Sequence, residues 1–149
     1  MPGLSDLYQE ILLEHNSKPK NFFVVEGHTH HKEGFNPLCG DRIQLYVTLK
    51  NDLITEVGFQ GSGCAISRAS TSMMTESVKG KSLEQINIIF EEVRKMLTEP
   101  GSDLDADILG DLEMLSGVTE YPVRIKCAIL SWHTLKSLID NSADQVSTE

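Results

Sequence analysis

Ile43-Gln44-Leu45-Tyr46-Val47-Thr48-Leu49-Lys50-Asn51-Asp52-Leu53-Ile54-Thr55-Glu56-Val57-Gly58-Phe59-Gln60 is the stretch that decides the fold. Ile43, Leu45, Val47 and Leu49 alternate with Gln44, Tyr46 and Thr48, the period of a strand with one buried face. Asn51-Asp52 supplies a turn, and the chain returns with Val57 and Phe59 inward. A three-residue loop around Asn51-Asp52 sets Leu45 opposite Val57 or opposite Phe59. Either register, continued, brings Cys39 opposite Gly63 or Ala65, beside Cys64 in both cases.

Outward from this hairpin the pattern turns helical. Leu4, Leu7, Tyr8, Ile11 and Leu12 share one helical face, and Ser17-Lys18-Pro19 ends that helix. Residues 16–38 read as a long connection, with Phe22 to Val25 as a short strand and Gly27 to His31 and Gly34 as loop. Residues 65–79 read as a helix stopping at Gly80. Ser82-Leu83-Glu84-Gln85 has the form of a capping box and opens a helix with Leu83, Ile86, Phe90, Val93 and Leu97 as its stripe. Pro100-Gly101 breaks it. Leu104, Ile108, Leu112 and Leu115 mark a shorter helix. Pro122 suits the first turn of a last one, with stripe Ala128, Trp132, Leu135 and Ile139. Strands early and helices late predict an α+β fold, a small antiparallel sheet of about three strands with helices packed on one face. Residues 1–149 read as one domain, with 142–149 as a frayed tail.

The composition narrows the function. Hydrophobic residues make up 40% and charged residues 23% of 149, as in a globular protein. A formal net charge of −9 argues against nucleic acid or an anionic membrane as partner. Met1 to Asp6 lack a basic start and an apolar run, and no stretch suits a bilayer span, so a cytoplasmic location is expected. There are three cysteines. An odd count argues against disulfide staples, and by itself it favours three unrelated buried thiols over ligands or nucleophiles.

The surroundings of the cysteines favour a site. Gly40 allows a sharp turn between Cys39 and Asp41, and Gly61-Ser62-Gly63 does the same before Cys64. Cys64 and Cys127 fall near helix N-termini, where backbone N–H groups favour a thiolate. Arg124 lies three residues before Cys127 and on its side of the helix. Three thiolates and a carboxylate suit zinc, and thiolates also suit iron–sulfur clusters, so the residues alone leave the metal open. A Cys39–Cys64 disulfide and simple burial are the bland alternatives. His28, His30 and His31 read as a solvated loop cluster, and His15 and His133 as surface or half-buried residues. A cysteine hydrolase would need one of these five as its base. Met73-Met74 reads as core, and residues 103–107 as a solvated helix start.

Asn36-Pro37-Leu38-Cys39-Gly40-Asp41, Gly61-Ser62-Gly63-Cys64-Ala65-Ile66-Ser67 and Arg124-Ile125-Lys126-Cys127-Ala128 resemble, in order, the three signature segments of the IscU/NifU-like iron–sulfur cluster assembly proteins. Lys126 stands where scaffold-type members have His before the third cysteine. Glu120-Tyr121-Pro122-Val123-Arg124 replaces their Leu-Pro-Pro-Val-Lys segment, and the Cys64–Cys127 interval is longer. These departures resemble the SufU branch. The resemblance implies a SufE/NifU-like fold with Cys39, Asp41, Cys64 and Cys127 holding Zn2+. It implies a sulfur relay in which Cys39 leaves the zinc when the partner docks, accepts persulfide sulfur from a SufS-type cysteine desulfurase and passes it to a SufBCD-type complex. Arg124 would lend electrostatic support. Such a protein is a sulfurtransferase partner rather than a stand-alone enzyme. The alternative is a scaffold with iron or a [2Fe–2S] cluster at the same site.

Overall fold

The structure is a computed structural model that describes residues 2–99, 101–141 and 146–147, with side chains described from residue 10 onward. In chain order it runs α1 (Pro2–Ser17), β1 (His30–Asn36), β2 (Asp41–Lys50), β3 (Leu53–Ser62), α2 (Ala65–Val78), α3 (Leu83–Thr98), α4 (Ala106–Leu109), a 3-10 segment (Gly110–Glu120), α5 (Pro122–Ile139) and β4 (Val146–Ser147). The expected α+β architecture is present, with a sheet ordered β3-β2-β1-β4.

The hairpin forms with Leu45 opposite Phe59, the second of the two expected registers. Its loop has two residues rather than three. Asn51 and Asp52 both take positive φ, 52° and 61°. That is the geometry of a type I′ turn, and these residue types tolerate it well. The register shifts between Thr48 and Leu49, so a bulge follows the turn.

The sheet differs from expectation at its other side. The third strand is His30–Asn36, not Phe22–Val25, and His30, His31 and Gly34 are not loop. Polar residues fill most of β1, and its buried positions are Gly34 and Asn36, so no apolar alternation announces it. A Cβ at Gly34 would collide with Thr134 Oγ1, because α5 packs directly against the strand backbone. Phe22 instead sets its ring edge-on to Phe59, at 5.1 Å between centroids. The Phe59 N–H donates to the Asn21 carbonyl at 3.0 Å, so this segment covers part of the outer edge of β3.

The sheet is also mixed rather than purely antiparallel. Val146 and Ser147, expected to fray, pair parallel to Gly34 and Phe35. Val146 is buried with Ile43 and Leu130, an apolar anchor in an otherwise polar tail. The rest of the tail, 142–145 and 148–149, lies outside the described residues, as do the side chains of Leu4, Leu7 and Tyr8 and the breaker Pro100.

The helices pack on the apolar face. Leu45, Val47, Val57 and Phe59 meet Met73, Met74, Val93, Leu97, Trp132 and Leu135 in one continuous core. Ser82 and Gln85 form the capping box of α3, and Pro122 opens α5. The 103–107 stretch is a helix start, with Asp105 capping α4 through the Asp107 and Ile108 N–H groups. The middle of α2 buries Ser67, Ser70, Thr71, Ser72 and Thr75. The hydroxyls of Ser70, Thr71, Ser72 and Thr75 are satisfied locally or across elements, as Ser70 donating to the Ala128 carbonyl illustrates. No helix among the described residues is long and apolar enough to cross a membrane.

Candidate metal centre

Three segments converge at the end of the sheet away from the hairpin turn. The first is the β1–β2 turn. Asn36 and Asp41 pair as the last rungs of the ladder, and Gly40, at φ 69°, bends the chain between Cys39 and Asp41. The second is the junction from β3 to α2. Gly63 takes φ 152°, and a Cβ there would strike Asp41, so only glycine brings Cys64 this close. Cys64 is the N-cap of α2, its Sγ accepting from the Ser67 N–H at 3.5 Å. The third is the second turn of α5, which carries Cys127.

Asp41 is fully buried. A buried carboxylate needs partners, and it has them. Oδ1 accepts from the Cys64 N–H at 2.7 Å, and Oδ2 accepts from Asn36 Nδ2 at 3.1 Å. Cys64 Sγ lies 3.9 Å from Oδ2. Cys127 is also fully buried, and its Sγ lies 3.1 Å from Cys39 Sγ. Burial is the main cause that pushes the Cys127 thiol well above its ordinary range, followed by contacts with Cys39, Asp41 and Cys64. Arg124 is held more firmly protonated, chiefly by Cys64, then by its hydrogen bond with Cys127, with a smaller contribution from Cys39. The positive charge of Arg124 therefore acts on all three sulfurs.

Of the expected four residues, Cys39, Asp41 and Cys127 gather their donor atoms in one group and Cys64 adjoins it through Asp41, and all three cysteines are free thiols rather than a Cys39–Cys64 disulfide. Exposure separates them. Cys39 and Cys64 are partly exposed, whereas Asp41 and Cys127 are sealed. The tightest group is Cys39, Asp41 and Cys127, whose donor atoms all lie within 4.8 Å of one another.

The histidines are placed elsewhere. His15 is buried against Ser72 Oγ at 2.7 Å, not at the surface. His28 meets the Val25 carbonyl, His30 meets Thr29, and His31 meets Gln44 while stacking on Tyr46. His133 sits edge-on to Phe90. The hydrolase reading therefore has no base beside a thiol among the described residues. Asn36 is what the residue-level reading passed over. It is fully buried within the site, yet an Asn before Pro reads only as a turn.

The donor chemistry fits zinc. Tetrahedral zinc with thiolate bonds of about 2.3 Å sets its sulfurs about 3.8 Å apart. The 3.1 Å between Cys39 and Cys127 needs only a small side-chain rotation to match. An α+β domain that gathers thiols and a carboxylate at one end of its sheet presents a donor group that could hold a thiophilic metal ion.

The chain belongs to the NifU-like N-terminal domain family, whose pattern matches residues 7–128, within the IscU/NifU-like iron–sulfur cluster assembly proteins. It is 40% identical over 138 residues to the zinc-dependent sulfurtransferase SufU of Bacillus subtilis, covering 90% of each chain. It is 37% identical to the iron–sulfur cluster assembly scaffold protein IscU of Streptococcus pyogenes, over 95% of this chain and 87% of that one. The crystal structure of a putative scaffold protein for the SUF system from Fervidobacterium islandicum superposes with a TM-score of 0.83. It is 33% identical, over 87% of this chain and 94% of that one.

Proposed function

We propose that this protein is a zinc-dependent sulfurtransferase of iron–sulfur cluster assembly, with Cys39 as the sulfur acceptor. The observation that carries the reading is the asymmetry of the site. Of the two partly exposed thiols, Cys64 is tied down as the N-cap of α2 with its N–H on Asp41, whereas Cys39 sits on a glycine-hinged turn against a sealed Cys127 and Asp41. Cys39, Asp41, Cys64 and Cys127 would hold the zinc. Zinc supplies a charge that keeps thiols deprotonated at neutral pH, and it shields them from oxidation.

The chain's own residues do the transfer. The Cys39 thiolate attacks the outer sulfur of a persulfide carried by a pyridoxal-phosphate cysteine desulfurase of the SufS type. A new S–S bond forms on Cys39 as the donor's S–S bond breaks, and the donor cysteine leaves as a thiolate. A second exchange hands the sulfur to a SufBCD-type assembly complex. Arg124 offsets the negative charge of the thiolates and of the persulfide formed. The similarity to a protein named for zinc-dependent sulfur transfer supports this reading.

The test is desulfurase turnover with and without this protein. The wild type, carrying one zinc per chain, is expected to stimulate turnover, and Cys39→Ala to retain its fold without stimulating. Equal stimulation by both would overturn the mechanism. A scaffold for a [2Fe–2S] cluster is the second reading, favoured by the similarity to IscU of S. pyogenes. It expects visible absorption after anaerobic reconstitution and transfer of the intact cluster to an apo-ferredoxin.

A further inference from the structure

The site contains a buried amide that no step above uses. Asn36 is 0% exposed, and both ends of its side chain are engaged. Nδ2 donates to Asp41 Oδ2 at 3.1 Å and to Cys127 Sγ at 3.4 Å. Oδ1 accepts from the Leu38 N–H at 3.3 Å, which shapes the turn carrying Cys39. An amide nitrogen has no lone pair to give a metal, so Nδ2 acts only by donating to groups that do.

Its two acceptors are the two sealed donors of the site. Cys127 sits on α5 and Asp41 on β2, and the Asn36 amide ties the two elements together from β1. We infer that Asn36 is a positioning residue that holds Asp41 and Cys127, the two sealed donors, in place as the fixed part of the metal centre. This rests on the metal-centre reading above. An outer-shell donor of this kind fixes ligand orientation, and its loss typically weakens metal binding about 10- to 100-fold.

Two variants separate this role from turn building. Asn36→Asp keeps an acceptor for the Leu38 N–H but removes the donor. Asn36→Ala removes both without adding a charge beside Asp41. Metal-free wild type and variants are titrated with zinc against a chromophoric chelator, and with cobalt(II) as a spectroscopic probe of thiolate ligation. Circular dichroism follows melting of the metal-free forms. The expected result is zinc affinity lowered about 10- to 100-fold in both variants, with weakened thiolate-to-cobalt charge transfer and little change in metal-free melting. Four results would overturn the inference. They are wild-type affinity in both variants, loss in Asn36→Asp alone (charge repulsion), loss in Asn36→Ala alone (turn building), and collapse of the metal-free fold in both variants. Failure of the wild type itself to bind zinc would instead remove the metal-centre reading on which it rests.

Discussion

At the scale of single residues, the site depends on close approaches that particular side chains permit. Gly63 lies against Asp41, where an added Cβ would collide. Gly63→Ala is therefore expected to push Cys64 and Asp41 apart and to lower zinc affinity at least tenfold by chelator competition, about the scale of losing one supporting contact. Unchanged affinity would show that the junction yields without moving the donors. The 3.1 Å between the Cys39 and Cys127 sulfurs leads to a second expectation. In the metal-free protein, peroxide as two-electron oxidant should join Cys39 to Cys127, the two thiol protons and the peroxide leaving as two waters, with Cys64 left free. Peptide mapping checks this, and a Cys39–Cys64 bridge would contradict it. The hairpin register made legible that the Cys39–Asp41 turn approaches the Cys64 junction, and Asp41 does accept from the Cys64 N–H. The place of Cys127 was not, because nothing in a helix stripe says which strand end its N-terminal turns will meet. Asn36 stayed hidden because turn formation already accounts for an Asn before Pro.

At the scale of elements, β1 shows what alternation misses. The helical stripes and the hairpin were legible because apolar side chains make their own contacts. Strand β1 instead offers bare backbone at Gly34 to Thr134 and Leu130 of α5. Gly34→Ala is expected to lower stability by about 1–3 kcal/mol, the usual cost of overpacking. Thr134→Ala in the same chain removes the hydroxyl in the way and should recover much of the loss. Equal melting temperatures for the single and double variants would contradict this. A second element contact responds to pH. Glu92 on α3 accepts from the Asp105 N–H at 3.0 Å and pairs with Lys95 at 2.9 Å, tying α3 to the start of α4. The Lys95 contact first, then the Asp105 N–H, holds its carboxyl below the ordinary value of 4.5. A depressed folded-state value means that the unfolded chain takes up the proton first as pH falls. The contribution is thus complete above pH 4.5 and is lost as pH falls through the folded-state value. In urea titrations, Glu92→Gln should cost stability at pH 7 and converge on the wild type in strong acid. A constant difference at all pH values would rule out this linkage.

At the scale of the whole molecule, the core and the site are separate. The continuous core of the sheet and helices is built from apolar side chains and does not depend on a metal for closure. Unlike small zinc-nucleated domains, the metal-free protein is therefore expected to remain folded. Zinc should add stability by mass action, about 2.7 kcal/mol at a hundredfold excess over the dissociation constant. Calorimetry with and without chelator measures both, and unfolding on chelation would contradict the first. The α+β architecture was legible from the order of strands and helices. The fourth strand was not, since two residues of a polar tail carry too little pattern to declare a pairing. The central claim remains that Cys39 is the thiol at which sulfur arrives. Its most direct test is mass-spectrometric mapping of all three cysteines after incubation of the zinc-loaded protein with a cysteine desulfurase and cysteine. One added sulfur on Cys39, with Cys64 and Cys127 unmodified, is the result predicted. Persulfide confined to Cys64 or Cys127, or absent from all three, would contradict it.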